Sequence, residues 1–354
     1  MPEPLHCCLL SVLSRCSCKG DDSSGIAILR MLPVLLPADG DVLKKIATGV
    51  GFTCLLFAVA LYIPIIGFVS AVMIPLPISY YRYKLGRSAG GSILGISCIV
   101  MMVVGEGISF DLSLFTALLI LGLVLGEMLE EGVSVEKMVL YPSLSVIGSG
   151  IFLAFLYSVS TQTELSSLVN LYIKKNLELT LELYRQMSMP EETLLILSRS
   201  LDTIQFVLVR IIPGIAVMSA LFVTWINMLM IRTLAGLKGL KIPDIGVLTQ
   251  WKSPEILIWV VISGGVLLLI PVKFLKIVGM NIVLALVMIY FIQGISIVSF
   301  YFDKRKFPRI LRGVLYVLIG VQQLFSILVI GLGFFDLWID FRRIDKNEKL
   351  DDEF

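Results

Sequence analysis

Residues 277–300 read IVGMNIVLALVMIYFIQGISIVSF, without one Asp, Glu, Lys or Arg. Wound as a helix at about 1.5 Å per residue, this stretch is about 36 Å long, enough to cross a hydrocarbon core of about 30 Å. The same reading repeats along the chain: 93–104, 112–125, 256–270 and 314–335 are also free or nearly free of charge. Overall, 57% of the residues are hydrophobic and 16% charged, whereas a soluble domain is about half apolar and about a quarter charged. The fold class expected is all-α, a polytopic transmembrane helix bundle of eight or nine spans.

Working outward, the spans fall near 46–63, 65–81, 88–104, 112–129, 138–159, 204–231, 254–271, 277–302 and 313–335. Residues 1–43 read as a tail outside the bundle, disordered or preceding a later start at Met31. Residues 44–343 form the membrane domain, and 344–354 a charged C-terminal tail. The stretch 160–202 is the largest insertion outside the membrane. Its apolar residues, among them Leu165, Leu168, Tyr172, Leu179 and Leu183, follow helical spacing, and Ser188 to Glu191 reads as a capped start. Two amphipathic helices are expected there.

Basic residues gather in short turns: Lys44-Lys45, Arg82 to Arg87, Arg232 to Lys252 and Lys304 to Arg312. Short Lys/Arg-rich loops stay cytoplasmic, so a cytoplasmic N-terminus places all four on the inner side. Nine crossings then leave Arg342 and Arg343 outside; one re-entrant run gives eight crossings and both termini inside.

The inventory excludes much chemistry. The single histidine, His6, lies in the tail, so neither a histidine triad nor an HExxH zinc site can be built in the membrane. No phosphate-cradling glycine loop with its lysine is present. A formal net charge of +2 gives no reason to expect nucleic acid. No catalytic residue, metal or cofactor is expected, and the chain reads as not an enzyme.

Arg210 lies early in the span 204–231, but the polar groups deep inside the spans are neutral amides: Asn227, Asn281, Gln293, Gln322 and Gln323. Together they could line a cavity for a small uncharged or zwitterionic ligand; singly, each could bond helix to helix. Ala47 and Gly51, Gly91 and Gly95, and Gly122 and Gly126 place small residues four apart, where helix backbones can approach or dock another membrane protein. Near the C-terminus, Asp336, Trp338, Asp340 and Arg342 alternate with Phe335 and Phe341 as an interfacial belt with paired charges.

Several pieces together resemble the YybS-like family of predicted bacterial membrane proteins. They are Pro75-Leu76-Pro77 leading to Arg82 to Gly90, Ile212-Pro213 leading to Asn227 and Arg232, Asn281, Phe291 to Gly294, and the closing run Phe335 to Arg342. The N-terminal half is similar to the substrate-binding subunits of energy-coupling-factor transporters, in which a proline-containing span ends in a basic-glycine turn. The resemblance implies the bacterial cytoplasmic membrane and a transporter-like subunit for a small molecule. Beyond the lipid bilayer, it implies a coupling protein and ATPases as partners. A structural scaffold of the cell envelope, partnered by envelope-assembly proteins, is the other reading.

Overall fold

The computed structural model describes residues 40–104, 107, 109–187, 189–240 and 248–342. Expectations for residues 1–39, Glu106, Ser188, residues 241–247 and Arg343 onward lie outside them. The described residues form helices without a strand: α1 Gly40–Tyr62, α2 Pro64–Met73, α3 Pro75–Leu85, α4 Arg87–Val104, α5 Phe110–Glu131 and α6 Val135–Ser160. There follow α7 Leu165–Gln186, α8 Glu191–Leu237, a 3₁₀ turn Leu248–Gln250, α9 Ile256–Leu269, α10 Lys273–Lys304, α11 Arg309–Val321 and α12 Gln323–Ile339. Residues 40–43, expected in the tail, are the start of α1.

Local chemistry sets the boundaries. Pro64 opens α2, and Gly67 brings it against α1, where an added Cβ would lie 2.7 Å from the Ala60 carbonyl. Pro75 and Pro77 lack backbone donors, so the run expected at 65–81 is split into α2 and α3. Ile74 between them keeps right-handed helical dihedrals (φ −53°, ψ −40°). Ser109 caps α5 by accepting from the Leu112 amide, and Gly132 ends it in the left-handed conformation at φ 63°.

The insertion differs from expectation. Its first helix is α7. The second is not separate: from Glu191 the chain stays helical for 47 residues to Leu237. No glycine or proline interrupts that run before Pro213, so nothing breaks it at the membrane surface. At about 70 Å, α8 is more than twice as long as the hydrocarbon core is thick. Its first part pairs with α7, where Gln205 donates to the Asn170 carbonyl (3.3 Å).

Two cores meet at α5. One joins α1, α3, α4 and α5 around Ile46, Ile78, Ile93 and Leu119. The other joins α5, α6, α8 and α10 around Leu125, Met138, Met228 and Ile292. Six helices, α1, α4, α5, α6, α8 and α10, are long and apolar enough to cross a membrane; α11 and α12 would add a seventh if their bent pair is one span. That makes six or seven candidate spans among the described residues against the eight or nine expected; α2 and α3 together, and α9, occupy the other two expected runs but are shorter helices.

The basic turns share one end of the bundle. Buried Arg82 pairs with Glu127 and with Glu130 (2.7 Å), and Arg87 also pairs with Glu127. The Trp251 indole donates to Glu136 (2.8 Å). Arg312 donates to the Phe302 carbonyl (2.9 Å), and Tyr301 to the Phe341 carbonyl (2.9 Å). Both Arg312 and Phe341 therefore lie beside the last turn of α10. Between them α11 and α12 meet at a 98° bend, a V that starts and ends on the same side. Both ends of the bent pair thus lie at one end of α10, as the re-entrant alternative expects, and Arg342 lies with the other basic turns.

Candidate functional site

Asn281 on α10 reaches into α8 at its proline. Pro213 cannot donate, so the Val209 carbonyl one turn earlier lacks its ladder partner. The Asn281 amide nitrogen donates to the Arg210 carbonyl (2.9 Å), and its oxygen accepts from the Gly214 amide (2.6 Å). In an unbroken helix those two backbone groups would bond each other. The side chain thus splints the helix at its proline, and Gly214 allows it: a Cβ there would lie 2.9 Å from the Asn281 backbone.

Asn227, fully buried, donates to Val72 on α2 and to Val223 on its own helix, each at 2.8 Å. It ties α8 to the end of α2, next to the Pro75 and Pro77 interruption. Its own amide oxygen is buried without a partner among the described residues.

Gln293 belongs to a buried clip. Its oxygen accepts from the Ser253 hydroxyl (2.5 Å), and its nitrogen donates to Asp336 (3.2 Å). Asp336 pairs with Arg342 (2.7 Å) and accepts from the Phe341 amide (3.1 Å). Arg342 also donates to the Thr249 and Trp251 carbonyls at 2.8 and 3.0 Å. The charges expected in an interfacial belt do pair, but Asp336 and Arg342 are buried rather than set at the surface. Trp338 remains exposed, and Asp340 pairs with Lys252 (3.3 Å). The clip depends on close approach: Gly294 lies against the Val329 carbonyl, and Gly333 against that of Tyr290.

Gln322 and Gln323 sit at the α11–α12 bend and are exposed. The five amides therefore do not converge on one cavity: three are spent on neighbouring helices and two face outward. Of the small residues, Gly122 and Gly126 let α3 lie against α5, where a Cβ would fall 2.5 Å from the Pro75 carbonyl and 3.0 Å from that of Ser79. Gly51, Gly91 and Gly95 face open space, and Ala47 is exposed. Close approach on α1 and α4 is carried instead by Gly49 against Ile93 and Gly90 against Arg82.

A cavity lies elsewhere, among α8, α10, α11 and the 3₁₀ turn at the basic end, with a volume of about 630 Å³. Phe222, Trp225, Leu229, Phe291, Ile292 and Ile295 make its apolar wall. Arg232, Thr233, Thr249, Ser296, Ser299 and Tyr316 supply polar groups, with Ser299 and Tyr316 hydrogen-bonded at 2.7 Å. Half-buried Arg232 has no carboxylate or hydrogen-bond partner among the described residues. An apolar pocket of this size with a few polar groups is what small-molecule sites look like. No group of His, Cys, Asp and Glu among the described residues could hold a metal ion.

A family model described as "Predicted membrane protein (DUF2232)" matches residues 51–337. The chain belongs to that family. The DUF2232 match runs from within α1 to within α12, so it takes in the Asn281 splint, Gln293, Asp336 and the cavity walls. Arg342, which completes the clip, follows just after it. No curated protein and no solved structure matches the chain. Sequence reasoning missed Arg232 as a site residue, although it closes the span expected at 204–231, whose only other charge is Arg210. The apolar walls carry no signal that separates them from lipid-facing positions.

Proposed function

We propose that this multi-pass membrane protein is a non-enzymatic small-molecule-binding subunit, and that its ligand is amphipathic, with an apolar body and an anionic or strongly polar head. The observation that carries the reading is the cavity of about 630 Å³ beside Arg232. Its wall suits a hydrocarbon or aromatic body. A half-buried guanidinium without a partner among the described residues suits a carboxylate or phosphate. This replaces the uncharged or zwitterionic ligand expected of the amides, which are engaged with their own helices or face outward.

The similarity to the YybS-like family and to energy-coupling-factor subunits supports a transporter-like role beside a coupling protein and ATPases. It also supports the bacterial cytoplasmic membrane as the location. The positive-inside rule then puts the basic end, and the cavity with it, on the cytoplasmic side. The envelope-scaffold reading is favoured by the α7–α8 hairpin, which exposes Leu179, Leu183, Met187, Leu195 and Ile196.

Purification in mild detergent, followed by mass spectrometry of co-eluting small molecules and proteins, separates the two. An acidic amphiphile retained by the wild type and lost from Arg232→Gln supports the binding subunit. Envelope-assembly proteins with no small molecule would overturn it in favour of the scaffold.

A further inference from the structure

The re-entrant V carries a second inference. Its legs, α11 with 13 residues and α12 with 17, are about 20 and 26 Å long. Both feet rest beside the last turn of α10, through Arg312 and Phe341. The legs meet at a 98° bend, which falls at the centre of the uncharged run 313–335 and so belongs with the hydrocarbon layer. At that tip are Gln322 and Gln323, both exposed.

Two primary amides and the interrupted backbone of a helix end are poor company for lipid tails. The chain answers part of the need itself, since the Ser326 hydroxyl donates to the Ile319 carbonyl across the bend. Asn227, Asn281 and Gln293 all donate within the protein. The Gln322 and Gln323 side chains have no partner among the described residues. Around them Val317, Val321, Leu324, Ile327 and Leu328 are exposed, and residues 313–335 contain no charge.

We propose that the tip of this V is where two copies of the chain pair in the membrane, Gln322 and Gln323 of one facing those of the other. A carboxamide carries two donors and an acceptor, so identical amides across a two-fold axis satisfy each other. An uncharged face asks for no oppositely charged partner. A two-fold contact needs this self-complementarity, and glutamine bonds between transmembrane helices in this way.

The test is the mass of the full-length protein in detergent, read by size exclusion with light scattering across a dilution series. Three forms are compared: wild type, the double variant Gln322→Leu with Gln323→Leu, and Val317→Trp. The wild type is expected to dimerise and both variants to dissociate at concentrations at least tenfold higher. Val317 is exposed, so the tryptophan perturbs the face without entering the core. A monomeric wild type, or a dimer that neither variant weakens, overturns the proposal. Neither result depends on whether the cavity holds a ligand.

Discussion

Pro213 in α8 and the bend at Gln322 both disturb the backbone ladder of an apolar run, yet only the first is bridged by a side chain from a neighbouring helix. At Pro213 the sequence removes a donor, and Asn281 supplies one amide group each to the Gly214 amide and the Arg210 carbonyl. At Gln322 no proline forces the break, and the two amides beside it face outward. The difference teaches how to divide polar groups inside a bundle. An amide whose hydrogen bonds close on a neighbouring helix explains the fold. One left open points to something outside the chain.

Breaking the anchor of the V should cost most. Arg342→Ala leaves the Asp336 carboxylate buried without its cation, together with the two carbonyls that Arg342 caps. The expected loss is about 3–5 kcal/mol, read as reduced unfolding stability in detergent. A loss no larger than that of a surface substitution would mean that the clip does not hold α12.

Asn281→Leu removes the splint and strands the Gly214 amide and the Arg210 carbonyl. It should cost about 1–3 kcal/mol in the same assay. An unchanged stability would show that water or local rewinding seals Pro213 equally well, and the contrast with Gln322 would collapse.

The far end of the bundle offers a pH test away from both breaks. Burial and the hydrogen bond to Asp111 (2.8 Å) push Tyr172 on α7 up to about 12. The raised value favours the neutral phenol in the folded state. Its stabilisation is therefore present below about pH 10, the ordinary tyrosine value, and is lost as pH rises from there towards 12. Amide exchange in α7 should accelerate over that window, and Tyr172→Phe should remove the extra sensitivity. Equal behaviour of the two proteins would show that this contact does not dock the helix.

Smallest of all should be Gln322→Leu in the dissociated monomer, within about 0.5 kcal/mol of wild type. A large loss there would mean that the exposed amide has a partner inside the chain after all.

The helical bundle was legible because long uncharged runs allow little else, and the basic turns correctly grouped one end. The length of α8 could be sought in the absence of any breaker between Glu191 and Pro213, but periodicity alone suggested a surface helix. Pro213 announced that the ladder around it would be disturbed. It could not say that the amide of Asn281, 67 residues beyond Gly214, would meet both the Gly214 amide and the Arg210 carbonyl, because that depends on how α8 crosses α10. Gly294 and Gly333 were likewise visible as residues but not as a contact. The cavity was least legible. Its wall is built from the residue types that also face lipid, and only Arg232 stands out chemically.

The most direct measurement is native mass spectrometry of the membrane-extracted protein in three forms: wild type, Gly320→Phe, and the Gln322→Leu/Gln323→Leu double variant. Gly320 lines the cavity, and a side chain added there meets open space, so the phenyl ring should occupy the cavity without unfolding α11. If the ligand sits beside Arg232, a bound amphiphile should persist in the wild type and the double variant and disappear from Gly320→Phe. Retention by Gly320→Phe, or loss from the double variant alone, would contradict that placement and return the binding role to the amides.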